Sequence, residues 1–191
     1  DVCSSDLGID VFFGTARFAG PSAVTVGGET LTFKKALIAT GARPMTPSIP
    51  GLAEAGYLTN ENVFDLIECP PRLMIIGGGP LGCESAQAFC RLGSHVIIAQ
   101  DDPMFLPKEE RDAAQILSDS LARDGVEIHL NTGVVAVRTE GRSKIVDLVS
   151  DDNRVSVPVD EILAGIGRAP NVEGMDLEAA GVRYDTQTGV L

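Results

Sequence analysis

The 191-residue chain has little positive charge, few aromatic side chains and no long hydrophobic run. Its 15 Lys and Arg residues are outnumbered by 27 Asp and Glu residues, and the formal net charge is -12. Nucleic-acid and anionic-membrane partners are therefore not expected, because both require a basic surface. Tryptophan is absent, and the apolar stretches are far shorter than the roughly 20 residues of a membrane span. This composition predicts a soluble α/β protein packed mainly with aliphatic side chains.

The four cysteines form no C-x-x-C motif and no His/Cys cluster with the spacing of zinc ligands. Cys83 and Cys90 lie seven residues apart in a predicted helix, about 10 Å along its axis, which is too far for a disulfide. We therefore expect free, mostly buried thiols, a reducing cytoplasmic location and no metal site. His95 and His129 lie in predicted strands, and no partner side chains are expected for them.

A glycine cluster follows the apolar run 73–76 and precedes a helical pattern of apolar residues. Gly77, Gly79 and Gly82 occupy the three positions of G-x-G-x-x-G. In a dinucleotide site these glycines allow a tight turn, close approach of the backbone to a pyrophosphate, and close helix–strand packing. The helix N-terminus adds unpaired N–H groups and the positive end of its dipole. The predicted dinucleotide-binding residues are Gly77, Gly78, Gly79, Pro80, Leu81 and Gly82.

The hydrophobic pattern predicts a βαβαβ unit followed by an antiparallel β-meander. The strands of the unit are expected at 73–76, 96–99 and 126–130. Its helices are expected at 81–92 and 108–123, with Ala113, Ile116, Leu117 and Leu121 on the buried face of the second. The meander is expected at 134–138, 145–149 and 155–159, and the sequence EILAGIG that follows predicts a further buried strand. Upstream, short strands are expected within 11–39, including one at 36–39, followed by a proline-rich connector and a short helix at 61–67.

Four motifs occur in a fixed order: G-T-A-R-F at 14–18, A-T-G at 39–41, G-G-G-P-L-G-C-E at 77–84 and G-R-A-P-N at 167–171. Over residues 8–191 this series resembles the flavoprotein pyridine nucleotide–disulfide oxidoreductases, which include dihydrolipoamide dehydrogenase, glutathione reductase and mercuric reductase. Two stretches, YLTNENVFDL and GPLGCESAQAFCRLGS, are most similar to mercuric reductases.

The resemblance implies an α/β fold in which a Rossmann-like, doubly wound NAD(P)-binding domain is inserted into an incomplete FAD-binding domain. Residues 1–7 fit nothing in the pattern that follows, and we expect them to be an artefact. The expected segments are part of the FAD-binding domain at 8–62, a connector at 63–69, the NAD(P)-binding domain with its β-meander at 70–163, and a truncated return to the FAD-binding domain at 164–191.

The resemblance also assigns cofactor contacts beyond the glycine motif. Glu84 matches a family glutamate near the nicotinamide and flavin rings, although a solvated glutamate favoured by the helix dipole is the alternative. The other contacts are Ala16, Thr40, Gly41 and Ala42 toward FAD, and Val134 and Gly167 toward NAD(P). For Ala16, Val134 and Gly167 the alternative is ordinary core and turn packing.

The end of the second strand of the unit is expected to meet the adenosine ribose. An acidic residue there binds the 2′-hydroxyl of NAD, whereas an Arg accepts the 2′-phosphate of NADP. This chain has Gln100 at that position, followed by Asp101 and Asp102, and no basic residue before Lys108. NAD is therefore favoured over NADP, since glutamine can bond a hydroxyl and the two carboxylates would repel a phosphate.

The family resemblance implies an enzyme that passes hydride between NAD(P)H and FAD and on to a disulfide or a metal ion. Its redox C-x-x-x-x-C pair is expected upstream, and the domain that forms the homodimer is expected downstream. No residue of this chain fits the thiol nucleophile, so we expect the 191 residues alone to be inactive. Two alternatives stay open: a flavoprotein of the NADH oxidase or ferredoxin reductase type without the cysteine pair, and a non-catalytic nucleotide-binding module.

Overall fold

The computed structural model describes residues 8–151 and 153–191, so the expectation that residues 1–7 are an artefact lies outside the described residues. The strands are β1 (Arg17–Gly20), β2 (Ala23–Val26), β3 (Glu29–Thr32), β4 (Ala42–Pro44), β5 (Arg72–Ile76), β6 (His95–Ala99), β7 (Glu127–His129), β8 (Thr132–Glu140), β9 (Ser143–Ser150), β10 (Asn153–Val159), β11 (Glu161–Ala164), β12 (Arg168–Pro170), β13 (Tyr184–Asp185) and β14 (Gly189–Val190). The helices are α1 (Leu52–Ala55), α2 (Pro80–Arg91) and α3 (Arg111–Asp124), with 3-10 turns at Val63–Asp65 and Leu177–Ala180. None of these helices is long and apolar enough to cross a membrane.

The chain divides into two compact units, one formed by 8–43 with Arg168–Leu191 and the other by Pro44–Gly167. In the second unit, four parallel strands pair in the order β11-β5-β6-β7. Helix α2 connects β5 to β6, and α3 connects β6 to β7. These elements confirm the predicted βαβαβ unit and the buried return strand.

The two faces of this parallel sheet are covered by different structures. Successive side chains of a strand point to opposite faces. Leu73 and Ile75 of β5 therefore share a core with α2 and α3, whereas Met74 and Ile76 pack with the β8–β9–β10 meander. The predicted antiparallel meander is confirmed. The predicted doubly wound arrangement is wrong in one respect, because α2 and α3 lie on one face and the meander takes the place of helices on the other.

A polar network joins the three strands of the meander. The Asp147 carboxylate of β9 accepts hydrogen bonds from Ser156 Oγ at 2.6 Å, from Arg138 at 2.8 Å and from Arg154 at 3.1 Å. These donors, Ser156 first and Arg138 second, lower the pKa of Asp147 to about 2. The network therefore favours the ionised carboxylate.

Residues that precede the connector predicted at 63–69 also pack into the second unit. Leu52 of α1 is 1% exposed within the core on the meander side. Leu58 extends the parallel sheet beyond β11, since its N–H donates to Ile162 O at 2.7 Å and its carbonyl accepts from Ala164 N at 2.8 Å. Contacts thus group 44–62 with the second unit, while the assignment of 8–62 and 164–191 to an FAD-binding domain stays a prediction.

The first unit contains three small sheets, one of three strands and two of two strands. Strands β1, β2 and β3 form an antiparallel sheet, β4 pairs with β12, and β13 pairs with β14. The Phe18 N–H donates to Met175 O at 2.8 Å, and the Phe18 ring meets Phe33 edge-on with 6.0 Å between centroids. Segments from the two ends of the described chain therefore fold together.

Three secondary-structure predictions need correction. The stretch 36–39 is not a strand, since none of the described strands pairs with it, and Leu37 is 90% exposed. The predicted helix at 61–67 is one 3-10 turn. Helix α3 buries Leu121 and packs Leu117 against the core as predicted, but Ala114 is buried while the predicted Ala113 and Ile116 are exposed, because the buried face in the first turns lies one position further along the chain.

The expectation that His95 and His129 have no partners is also wrong. His95 Nε2 lies 2.8 Å from one Glu127 carboxylate oxygen, and His129 Nε2 lies 3.3 Å from the other. The hydrogen bond from His95, followed by the one from His129, lowers the pKa of Glu127 despite partial desolvation. The expectation of free thiols is confirmed for Cys69, Cys83 and Cys90, but the expectation that they are mostly buried is wrong, since Cys83 is buried, Cys90 is half-buried and Cys69 is exposed.

Candidate functional site

Two glycines of the predicted motif are required by packing within the loop between β5 and α2. Gly77 has φ +97°, and a Cβ there would lie 2.7 Å from Gly165 O. A Cβ on Gly82 would collide with the Gly77 carbonyl oxygen, which brings α2 against the loop. Any side chain at either position is therefore excluded by strain or by contact. These are the tight turn and the close helix contact that the motif predicts.

Gly79 is different, because the space beside it is open. It is the N-cap of α2 with φ -75°, which any residue can adopt, and the nearest atom to an added Cβ is Gly165 O at 3.8 Å. Pro80 follows at the first helical position, and the helix start has no side-chain cap among the described residues. The first N–H groups of α2 are thus left for an external acceptor, which is the arrangement that favours an anion at a helix N-terminus. Leu81, next in the chain, is half-buried.

Gln100 lies at the carboxyl end of β6, directly against the glycine loop. Its Oε1 accepts a hydrogen bond from the Gly78 N–H at 2.6 Å. Its backbone is held on both sides, since Gln100 N donates to His129 O at 2.9 Å and Thr132 N donates to Gln100 O at 2.8 Å. Oε1 is engaged as an acceptor, so the two N–H donors of the Nε2 group are the part of this side chain that can bind a ligand. The sequence predicted Gln100 near a ribose, and the structure places it beside Gly78.

Glu84 lines a cleft of about 330 Å³ between α2 and α3. The other lining residues are Pro80, Cys83, Gln87, Leu106, Glu109, Ala113, Ala114 and Leu117. Burial, with a smaller contribution from the Glu84 charge, raises the pKa of the Cys83 thiol to about 11. Cys83 is therefore a protonated packing residue at neutral pH and not a thiolate. The cleft brings Glu84 and Pro80 together, whereas Gly77, Gly79 and Gln100 do not line it.

The two remaining residues predicted to contact NAD(P) lie in the second unit. Val134 is half-buried in β8 at a β-bulge, two residues beyond the Thr132 that bonds Gln100. Gly167 has φ +123°, its carbonyl accepts from Met45 N at 3.0 Å, and a Cβ there would approach Met45 Sδ to 3.3 Å. Val134 thus closely follows Thr132, whose N–H is bonded to the residue at the end of β6, while Gly167 is required by its turn.

The residues predicted to contact FAD lie in the first unit, and there two sequence motifs meet. Thr40 Oγ1 donates to Asn171 O at 2.6 Å, and Asn171 Nδ2 donates back to Thr40 O at 3.0 Å. Gly41 O accepts from Asn171 N at 3.0 Å, and Ala42 O accepts from Arg168 at 2.8 Å. The A-T-G turn is therefore bound to the G-R-A-P-N segment. Ala16 is exposed immediately before β1.

Sequence reasoning missed Phe105, which borders the glycine loop, and Arg111, which holds the loop that contains Phe105. Phe105 is 7% exposed, and its Cε2 lies 3.4 Å from where a Gly78 Cβ would be. Arg111 is the first residue of α3, and its guanidinium donates to the carbonyls of the preceding loop. One signal was available: a cation in the first turn of a helix opposes the helix dipole.

The comparisons with known proteins agree with the resemblance drawn from the motifs. The family model described as pyridine nucleotide-disulphide oxidoreductase matches residues 2–191. The chain belongs to this family. It is 37% identical over 183 residues to a glutathione reductase of Burkholderia cepacia, a match that covers 96% of this chain and 39% of the relative. It is also 34% identical over 188 residues to a mercuric reductase of Staphylococcus aureus, with 97% of this chain and 34% of the relative covered.

Solved structures of this family share the fold. The HOCl-induced flavoprotein disulfide reductase RclA from Escherichia coli superposes with a TM-score of 0.85 at 31% identity, covering 98% of this chain and 43% of RclA. The chain thus spans about two fifths or less of the length of the curated relatives it matches. Members of the family are FAD-dependent oxidoreductases that use pyridine nucleotides.

Proposed function

We propose that the second unit binds a nicotinamide dinucleotide with its pyrophosphate at the N-terminus of α2. The observation that carries this proposal is the contrast among the three motif glycines. Gly77 and Gly82 are closed in by backbone, whereas Gly79 faces open space at an uncapped helix start. Packing explains the first two glycines and leaves Gly79 unexplained, whereas a phosphate that approaches the backbone at Gly79 accounts for the third glycine.

The cofactor we propose is NAD(H) in preference to NADP(H). The Gln100 amide, fixed by Gly78, presents donors that a ribose hydroxyl can accept. Asp101 and Asp102 follow and would repel a 2′-phosphate. Arg111, the nearest arginine further along the chain, uses its guanidinium on the carbonyls of Phe105 and Glu109. Its donors are therefore already engaged within the protein.

In the whole protein, we propose that the bound nicotinamide exchanges hydride with FAD, and that electrons pass on to a disulfide or metal-ion acceptor. The cofactors supply that chemistry, and the protein binds and orients them. We propose that Glu84 lies near the nicotinamide and flavin rings, and that Val134 and Gly167 contact the dinucleotide. Ala16 and the turn in which Thr40 is bonded to Asn171 are proposed to contact FAD. A homodimer belongs to the same proposal, as does a cytoplasmic location, with which the three free thiols in the described chain are consistent.

The proposal is tested by titrating the 191-residue chain with NADH and with NADPH, following nicotinamide fluorescence at 0.1 M salt. We expect saturable binding of both, with the lower Kd for NADH. Equal affinities, or tighter binding of NADPH, would contradict the preference. Absence of binding to either nucleotide by a folded chain would contradict the site itself.

A further inference from the structure

We infer that Arg111 is a positioning residue for the dinucleotide site, an inference that rests on the proposed function. Its guanidinium donates to three carbonyls of the loop that follows β6. NH1 donates to Phe105 O at 3.0 Å, and NH2 donates to Glu109 O at 2.8 Å and also to Leu106 O. A planar guanidinium can hold several acceptors at fixed angles, which a lysine ammonium cannot do.

The loop held by Arg111 has a conformation that requires support. Leu106 has φ +49° and is 8% exposed, although it is not a glycine. A left-handed conformation at such a residue is strained and persists where the surroundings enforce it. The Arg111 bonds to the carbonyls on either side of this residue supply that enforcement. They also account for a cation placed at the start of α3, where the helix dipole disfavours it.

The loop reaches the glycine loop through Phe105. The position of a Gly78 Cβ is surrounded by Gln100 Oε1 at 3.2 Å, Phe105 Cε2 at 3.4 Å and Ile98 Cγ2 at 3.5 Å. The Phe105 ring therefore lies beside the hydrogen bond between Gly78 N–H and Gln100 Oε1. A hydrogen bond shielded from water by an aromatic ring opens less often than an exposed one. Arg111 thus fixes Phe105, and Phe105 fixes the two residues that we propose to meet the ribose and pyrophosphate.

This role predicts two effects of Arg111→Met in the full 191-residue chain. The Gly78 N–H should exchange with deuterium at least about tenfold faster in the nucleotide-free protein, because its cover is released. The Kd for NADH should rise about tenfold if the binding-competent loop falls to about a tenth of the population. Arg123→Met is the matched control, since Arg123 lies in the last turn of the same helix and bonds Asp119 O at 3.2 Å.

Two further measurements separate positioning from general loss of stability. The Val146 N–H, in the fully buried centre of the meander, should keep its protection in Arg111→Met. Arg111→Lys keeps the charge and should recover only part of the affinity; it also replaces the methionine variant if that variant does not fold.

Exchange at Gly78 that stays as slow as in the wild type, or an unchanged Kd for NADH in a folded variant, would overturn the inference. So would equal acceleration at Gly78 and Val146. If the wild-type chain binds no NADH, the proposed function fails, and the exchange comparison still decides whether Arg111 positions Gly78.

Discussion

Replacing Gly79 with valine is expected to abolish most of the affinity for NADH while preserving the fold. The backbone at Gly79 has φ -75°, and the nearest atom to an added Cβ is 3.8 Å away, so a side chain is accommodated. The cost to folding is that of a poorer N-cap, about 1 kcal/mol or less for the change from glycine. The added side chain instead occupies the space through which a pyrophosphate would approach the helix N-terminus.

The loss of affinity can be estimated from the contact that the valine prevents. A hydrogen bond between a backbone N–H and a charged phosphate contributes about 1.5–3 kcal/mol. Losing one such bond raises the Kd by roughly 10- to 150-fold, since about 1.4 kcal/mol corresponds to a factor of ten. Losing two such bonds would raise the Kd by roughly 10²- to 10⁴-fold.

The assay is calorimetric titration of NADH into the Gly79→Val chain, with circular dichroism to verify folding. Ala88→Val is the matched control, because Ala88 is exposed on the same helix, two turns further on, and receives the same side chain. A folded Gly79→Val chain with wild-type affinity would refute the assignment of the glycine loop to the pyrophosphate. An equal loss in Ala88→Val would show that the effect comes from the helix and not from the site.

Three other changes test separate parts of the structure. Gln100→Glu should raise the ratio of NADH to NADPH affinity. One carboxylate oxygen would keep the hydrogen bond from the Gly78 N–H, while the other would accept a hydrogen bond from the 2′-hydroxyl and repel a 2′-phosphate. An affinity ratio that stays unchanged in paired titrations would contradict this prediction. Asp147→Asn should lower the urea midpoint of unfolding above pH 4. The difference in midpoint between wild type and variant should narrow as the pH falls toward 2, since the folded-state pKa of Asp147 is depressed to about 2. A difference that does not change with pH would contradict this pKa. Cys83 should react with a thiol reagent at pH 8 only on unfolding, whereas Cys69 should react in the native chain, as peptide mapping can show.

The parts of the fold that the sequence predicted are those with local, repeated signals. The βαβαβ unit is marked by apolar strands, by the glycines that begin α2 and by Gly125, which ends α3 with φ +99°. The meander alternates with period two over three strands. In both cases the pattern that predicts an element repeats over consecutive residues, so the element can be recognised from the sequence alone.

The parts that were missed depend on long-range contacts. Leu58 joins the parallel sheet through a single residue, which leaves no run of strand-forming residues to recognise. The stretch 36–39 has the composition of a strand, but no described strand pairs with it. Ile116 was placed on the wrong face of α3 because a shift of one residue turns a helix by about 100°.

The candidate site divides in the same way. The glycine motif identifies its own loop, because its three glycines lie within six consecutive residues at a recognisable spacing. Phe105 and Arg111 lie more than 25 residues later along the chain, and no sequence motif predicts that they support this loop. The bond between Gln100 and Gly78 likewise becomes visible only when β5 and β6 are paired.

The most direct test of the central claim is a map of NADH binding on the full chain by amide chemical shifts. NADH should perturb the amides of Gly77, Gly78, Gly79, Leu81 and Gly82, together with Gln100, and leave the far strand β10 unchanged. Adding NADPH at the same concentration should give the same pattern at lower saturation. Perturbation confined to residues away from the start of α2, or none in a folded chain, would contradict the assignment of this loop as the dinucleotide site.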